Sequence, residues 1–350
     1  MKTVWIKNIV LFFIGAFLTL ICLEVFLHFS KLSTSGFNKY YDDIGYGLPK
    51  SKKLLFFNEG LGIMETNEHR FLGDSPLEKD SATIRIALIG DSFIEGRQVF
   101  SRNHFGELFK QQLVKRFPNK NIEVFNFGRT GFGLKEMYAY DKVFVDSFQV
   151  DYKLYFLAQR DFETGQSASI QFMPTARLNS EKLPVSIEYQ SPLSAHRPDQ
   201  LHQFLRDYSI TAGMLNNGLK KTEELGLKEV ILRRNNHDEQ DRPARRSYKY
   251  KLPLDPLVYN ILSSIGPKAI LIKRDTVTLP NVLLAAYEKN LITHWDLGPL
   301  IQPMYDNGHA PNWWKITRKI GHWNNEAHLA LSLYLSNLMI EKLEEDLGYK

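Results

Sequence analysis

The stretch RIALIGDSFIEGRQVF, Arg85–Phe100, begins as a run of buried-strand residues and breaks off at Gly90-Asp91-Ser92. The apolar run Ile84–Ile89 is short and ends at a glycine, which marks a strand delivering the chain to a turn. A serine placed there could form the turn, cap a helix, cradle a phosphate or act as a nucleophile. The phosphate reading wants more glycine and a Gly-Lys-Ser/Thr ending, and neither is present. The other three readings are separated by what stands at the remaining strand ends, because ligands of an open parallel sheet bind outside the carboxyl ends of its strands.

Working outward, Phe105–Phe117 has helical apolar spacing and is closed by Pro118. A second strand, Ile122–Phe127, ends at Gly128; a helix suits Leu134–Phe148; Tyr152–Leu157 is a third strand. A helix from about Leu201 to Leu225 leads to a fourth strand at Glu229–Leu232. Beyond Lys268, Ala269–Ile272 and Ile292–Trp295 are strand candidates, and a final helix is expected from Glu326 to about Leu343. Strands alternating with helices predict an α/β fold, a parallel sheet covered on both faces. Residues 163–200 and 233–251 read as insertions, the first a long proline-punctuated loop that could serve as a lid and the second dense in charge.

The 350 residues are 43% hydrophobic, ordinary for a globular core, and the net charge of +5 is too thin to argue for nucleic acid. One cysteine, Cys22, excludes an intramolecular disulfide and a cysteine-ligated metal. From Ile9 to Leu23 there is no charge, and with its continuation through Phe29 the segment would form a helix about 30 Å long. An uncleaved membrane anchor over residues 1–30 is the leading reading, beside a cleaved signal peptide and a core helix. Lys2 and Lys7 put the short N-terminus in the cytoplasm and everything after Lys31 on the other side. Residues 31–83 read as an irregular connector, and 84–345 as the main domain.

A serine nucleophile needs a base and donors for the developing oxyanion. The turn NFGRTG places Asn126, Gly128 and Gly131 after the second strand, and GHWNNEAH places His322 in a loop before the last helix. Gly90-Asp91-Ser92, the Asn126–Gly131 turn, the LAQRDF segment and GHWNNEAH, in that order, resemble blocks I, II, III and V of the SGNH/GDSL hydrolase family. The resemblance covers about Ile84 to Leu343. It implies a three-layer αβα sandwich with a flavodoxin-like parallel sheet, and a serine esterase, lipase, thioesterase or acyltransferase chemistry without cofactor or metal. With the N-terminal anchor, the chain resembles bacterial envelope members acting on O-acyl, especially O-acetyl, groups of glycans, which implies an inner-membrane protein with its domain in the periplasm. The implied substrate is an acylated glycan or lipid, with polysaccharide machinery of the envelope as a possible partner.

By the same resemblance Ser92 is the nucleophile, with its own N–H in the oxyanion hole; Gly131 supplies a second N–H and His322 is the base. Two positions depart from the family pattern. Arg160 stands where the family has an oxyanion-hole asparagine, so that a charged donor or a partner for Asp161 or a substrate carboxylate replaces it. Lys319 and Ile320 stand where the family's orienting acid belongs; a backbone carbonyl or a distant carboxylate, Asp296 or Asp306, is then the expected orienter of His322. A catalytically degenerate domain that binds a glycan or protein is the alternative. His328 is expected to pack against the sheet, and Trp313 and Trp314 to be core or a platform for a sugar ring.

Overall fold

A computed structural model describes residues 2–30, 32–33, 39–41, 43–163 and 254–349, together with 175–177, 186–188, 209, 211 and 250. It opens with α1 (Lys2–Phe29), which is long and apolar enough to cross a membrane. Next come β1 (Leu32–Ser33), the hairpin pair β2 (Lys39–Tyr41) and β3 (Gly45–Gly47), and a second hairpin, β4 (Lys53–Phe56) and β5 (Gly62–Glu65). The central part comprises β6 (Thr83–Ile89), α2 (Ser92–Glu95), α3 (Phe105–Arg116), β7 (Asn121–Asn126), α4 (Leu134–Val143) and β8 (Tyr152–Leu157). A small antiparallel pair, β9 (Thr175–Arg177) and β10 (Ser186–Glu188), follows. The remainder comprises α5 (Pro256–Ser264), β11 (Ala269–Lys273), α6 (Asn281–Lys289), β12 (Thr293–Asp296), α7 (Gly298–Asp306), the short hairpin β13 (Trp313–Trp314) and β14 (Lys319–Ile320), and α8 (Asn325–Asp346).

The main sheet has the order β12-β11-β8-β6-β7 with every neighbouring pair parallel. Numbered along the chain this is the flavodoxin-like order 2-1-3-4-5, whose topological switch point lies between β6 and β8. Strand side chains alternate between two cores. Ile86, Leu88, Leu154, Phe156, Ile270 and Ile272 pack with α3 and α8 through Phe105, Phe109, Leu331 and Leu335. Ala87, Ile89, Tyr155, Leu157, Ala269 and Leu271 pack on the other face with Met137, Tyr140, Ile261 and Leu283 of α4, α5 and α6. Near-continuous apolar strands are what a sheet buried on both faces requires, so the three-layer αβα architecture follows from the residues of β6, β8 and β11.

Several expectations shift in detail. The helix expected over Leu134–Phe148 ends at Val143, where Phe144 leaves helical geometry (φ −131°, ψ −57°), and a 3₁₀ turn spans Val145–Phe148. Helices α5, α6 and α7 were not anticipated; each is nine residues long, and α5 and α7 carry proline at their first turn. Residues 31–83 are not merely irregular: β1 pairs parallel with β4, and β4 antiparallel with β5. The helix expected over 201–225, apart from Ser209 and Thr211, the strand Glu229–Leu232, and the charged 233–251 segment apart from Tyr250 lie outside the described residues, as does most of 163–200.

The α2–α3 connection is fixed by a buried histidine. His104 Nδ1 accepts from Gly106 N–H (3.0 Å) at the start of α3, which puts its proton on Nε2, 3.0 Å from the Ile94 carbonyl in α2. Burial pushes this imidazole down to about 4 from its ordinary 6.5, only partly opposed by the Ile94 bond. In the unfolded chain it takes up a proton that the folded protein refuses, so stability is present above the unfolded value and is lost as pH falls from about 6.5 toward about 4. Thermal unfolding followed across that window should show the midpoint falling with acid. His104→Gln should remove about one proton's worth of that slope, ~1.4 kcal/mol per pH unit at most.

Candidate active site

Ser92 is the first residue of α2, immediately after the carboxyl end of β6. Asp91 caps this short helix, its carboxylate accepting from Phe93 N–H at 2.9 Å. Gly96 closes it in the left-handed region (φ +60°). The turn, cap and nucleophile readings of Gly-Asp-Ser are therefore compatible: Asp91 does the capping and leaves the Ser92 hydroxyl to the crevice.

His322 lies between β14 and α8 and meets that hydroxyl, with Nε2 2.7 Å from Ser92 Oγ. On the other side of the ring, Nδ1 is 3.0 Å from both carboxylate oxygens of Glu59. The His322 backbone N–H also donates to Glu59 Oε2, at 2.7 Å. A carboxylate facing Nδ1 fixes the proton there and leaves Nε2 as the acceptor for the serine hydroxyl. Burial alone would raise the Glu59 carboxyl, but hydrogen bonds from the His322 side chain and backbone outweigh it and hold Glu59 below its ordinary value, with Lys319 adding a cationic contribution. The histidine is held further by Trp314, whose indole N–H donates to the His322 carbonyl at 3.0 Å, and by the Phe93 ring, 4.7 Å away between centroids.

Glu59 corrects the sequence-based search for an orienting acid. Asp296 is engaged by Lys273 Nζ (2.9 Å) and Gly298 N–H (2.6 Å), and Asp306 accepts from Gln302 (2.6 Å) at the exposed end of α7. Neither meets His322, because Nδ1 is occupied from the β4–β5 turn. The one local trace of this arrangement is Gly321: a Cβ there would lie 2.1 Å from the Glu59 carboxylate, so only glycine lets the acid approach. Lys319, in the place of the family acid, lies exposed on β14. Thr317 anchors the same turn by donating to the Glu59 carbonyl at 2.5 Å.

Which backbone N–H groups face the crevice open to a ligand follows from which are already spent. In the turn after β7, Gly128 N–H donates to Asn126 Oδ1 (2.9 Å), Arg129 N–H to the Gly90 carbonyl (2.9 Å), Thr130 N–H to Glu95 Oε2 (3.0 Å) and Phe132 N–H to the Arg129 carbonyl (3.2 Å). Gly131, in the left-handed region at φ +89°, is left as the one residue of Gly128–Phe132 whose N–H meets no acceptor among the described residues. The Ser92 N–H is likewise unspent among the described residues, since Phe93, Ile94 and Glu95 take the Asp91 acceptors. Asn126 is structural: its amide ties the turn to Ile94 O (2.8 Å) and to Gly128.

Arg160 follows β8, across the switch point from Ser92. Its Nη2 is bound to Asp91 Oδ2, which also takes Arg274 Nη2 at 2.5 Å, and its Nε stands 3.8 Å from Asp161. One nitrogen of the proposed charged oxyanion donor is therefore committed to the residue before Ser92. Asp161 is fully buried, with Oδ2 accepting from Ala158 N–H (2.7 Å); burial raises its carboxyl to about 7, with Arg274 opposing and Asp91 reinforcing the rise. His328 is buried on α8 with Nδ1 accepting from Phe105 N–H at 3.1 Å and its ring beside those of His104, Phe105 and Trp323, so these contacts are with the start of α3 and its neighbours rather than with a strand.

No family model matches the chain, and no curated protein matches it. Similar solved structures include a two-domain esterase active on acetylated mannans (11% identity, 74% of this chain and 49% of that one, TM-score 0.38). Others are a lipase/acylhydrolase from Enterococcus faecalis (11% identity, 74% and 96%, TM-score 0.35) and an acetyl xylan esterase (11% identity, 72% and 99%, TM-score 0.32). The chain spans about half the length of the two-domain esterase. Likeness at this level leaves the chemistry to be argued from the site.

The Glu59–His322 pair has a direct spectroscopic signature. A proton held between Nδ1 and a carboxylate should give a strongly downfield ring N–H resonance in the ¹H spectrum of the full chain. Glu59→Ala should abolish that resonance, whereas Asp296→Asn should leave it in place.

Proposed function

We propose that this chain is a serine esterase or O-acyltransferase of the SGNH/GDSL type, working through an acyl-enzyme at Ser92. The observation that carries this reading is the continuous chain of hydrogen bonds from Ser92 Oγ through the His322 ring to the Glu59 carboxylate. In the first half-reaction Ser92 Oγ attacks the acyl carbon and its proton passes to His322 Nε2. Negative charge on the former carbonyl oxygen is met by the unspent N–H groups of Ser92 and Gly131. Collapse expels the alcohol, which takes the proton from Nε2. Water, or an acceptor hydroxyl in a transferase, then repeats the sequence in reverse, with His322 removing its proton. Glu59 keeps the ring in the required tautomer and balances the imidazolium that forms.

The substrate we assign is an O-acylated, most simply O-acetylated, glycan or lipid. The helix α1 serves as a single-pass anchor in a bacterial inner membrane, with the positive residues Lys2 and Lys7 on the cytoplasmic side and the domain outside, near the polysaccharide machinery of the envelope. The alternative reading, a degenerate binding module, rests on Arg160 and on the missing acid before His322; Glu59 at Nδ1 of His322 favours the esterase reading on the second count.

The full chain in detergent should hydrolyse p-nitrophenyl acetate and take a covalent label from a fluorophosphonate. Ser92→Ala and His322→Ala should bring both to background, and Ser92→Ala should leave the melting temperature unchanged. Glu59→Ala should lower kcat by roughly a thousandfold or more, the scale associated with loss of the orienting acid in Ser-His-acid sites. Labelling that persists in Ser92→Ala, or wild-type protein that neither turns over nor labels, would sink the proposal.

A further inference from the structure

The pair of arginines beside Ser92 is more than the structure needs to hold Asp91. Asp91 is fully buried, and one of its oxygens already receives Phe93 N–H, while the other receives both guanidinium groups. One carboxylate thus faces two fixed cations. The neighbouring Asp161 restores neutrality only when ionised, and it is buried with an oxygen already bound by Ala158 N–H. Asp275, further along, is turned to backbone donors, Gln159 N–H at 2.6 Å and Val277 N–H at 3.0 Å. Lys273 is matched to Asp296.

The two arginines are not alike. Arg274 is more than nine-tenths buried, lies with its guanidinium carbon 4.3 Å from the Phe93 ring centroid, and has a buried Nε without a hydrogen-bond partner. Arg160 keeps 52% of its side chain exposed, and beyond Nη2 and the distant Asp161 contact its nitrogens meet no acceptor among the described residues. It stands at the end of β8, and Ser92 at the end of β6, the two strands that flank the switch-point crevice. A planar guanidinium with open donors at the rim of such a crevice matches carboxylate or phosphate geometry.

We propose that Arg160, backed by Arg274, receives an anionic group of the substrate, a carboxylate or a phosphate carried on the same molecule as the ester that Ser92 attacks. The inference rests on the esterase reading for its link to turnover but not for its binding site. Asp91 fixes the guanidinium in advance, so that its ordering is not a cost of binding. An acidic sugar residue bearing an O-acyl group is the simplest substrate that meets both requirements.

The test uses three esters with the same O-acetyl group: methyl O-acetyl-glucoside, its glucuronide and its 6-phosphate. With full-length protein in detergent, kcat/KM for one of the charged esters should exceed that for the neutral one by about tenfold, the usual scale of a charge-assisted contact. The ratio should fall to near one in Arg160→Gln and be partly kept in Arg160→Lys. Which charged ester is preferred identifies the anion. Absence of any charge preference in the wild type, or equal losses on neutral and charged esters in Arg160→Gln, would overturn the proposal; the second result would place Arg160 at the oxyanion instead. Calorimetric binding of methyl glucuronide and glucose 6-phosphate to the Ser92→Ala protein separates the two readings. Binding lost on adding Arg160→Gln supports the anion site even if no ester is cleaved, and no binding of either ligand counts against it.

Discussion

The site is held together by one contact across a long sequence separation: the Glu59 carboxylate on both the ring and the backbone N–H of His322. Each partner needs the other. The loop carrying His322 is made of two-residue strands and turns anchored by the buried rings of Trp314 and Trp323, while the β4–β5 turn projects from a hairpin outside the main sheet. One carboxylate accepts the Nδ1–H, shared between its two oxygens, and the backbone N–H of His322; with Thr317 donating to the Glu59 carbonyl, these bonds tie the two segments together. Charge-assisted bonds contribute about 1.5–3 kcal/mol each, enough to set the orientation of a single ring. Because β4 pairs with β1 directly after the apolar N-terminal helix, the acid belongs to the same small sheet as the segment leaving that helix.

The opposite wall is organised by saturation of backbone donors. Glu95, fully buried one turn beyond Ser92, receives the N–H of Thr130 and pairs with Arg97 at 2.5 Å. Burial would raise this carboxyl, but the nearby Arg97 and Arg129 charges hold it below its ordinary value, so it remains an acceptor. Gly128 packs so closely on α2 that a Cβ would lie 2.2 Å from Glu95 N. This contact presses the turn after β7 against the helix that begins with Ser92. Among the described residues every N–H of Gly128–Phe132 has an acceptor except that of Gly131, whose backbone is left-handed. A preorganised oxyanion site needs donors that do not have to give up another partner when the charge develops.

At the third strand end, after β8, a cation stands beside the helix that begins with Ser92. Arg160 and Arg274 converge on Asp91, so the residue that caps α2 also gathers two cations, one exposed at the rim and one buried behind it. Capping of α2 and the electrostatics of the crevice are thereby joined in one buried carboxylate. A helix of four residues has little intrinsic stability, and its geometry depends on this capped, packed and ion-paired setting rather than on propensity.

The sequence by itself determined the layer architecture, because apolar runs of strand length separated by amphipathic helices can bury both strand faces in no other common way. The order of Gly90-Asp91-Ser92, the NFGRTG turn and GHWNNEAH, through the resemblance these motifs carry together, also brought forward Ser92, Gly131 and His322. Tertiary structure alone decided which carboxylate meets His322. Glu59 stands in Asn58-Glu59-Gly60, a pattern that reads as an ordinary polar turn, and 263 positions separate it from His322. Its role depends on a through-space approach permitted by Gly321, which has no local periodicity to betray it. The same holds for Arg160: its residue type is legible, but whether it pairs with Asp161, Asp91 or a ligand is set by which strands lie side by side, and strand order is a property of the folded sheet.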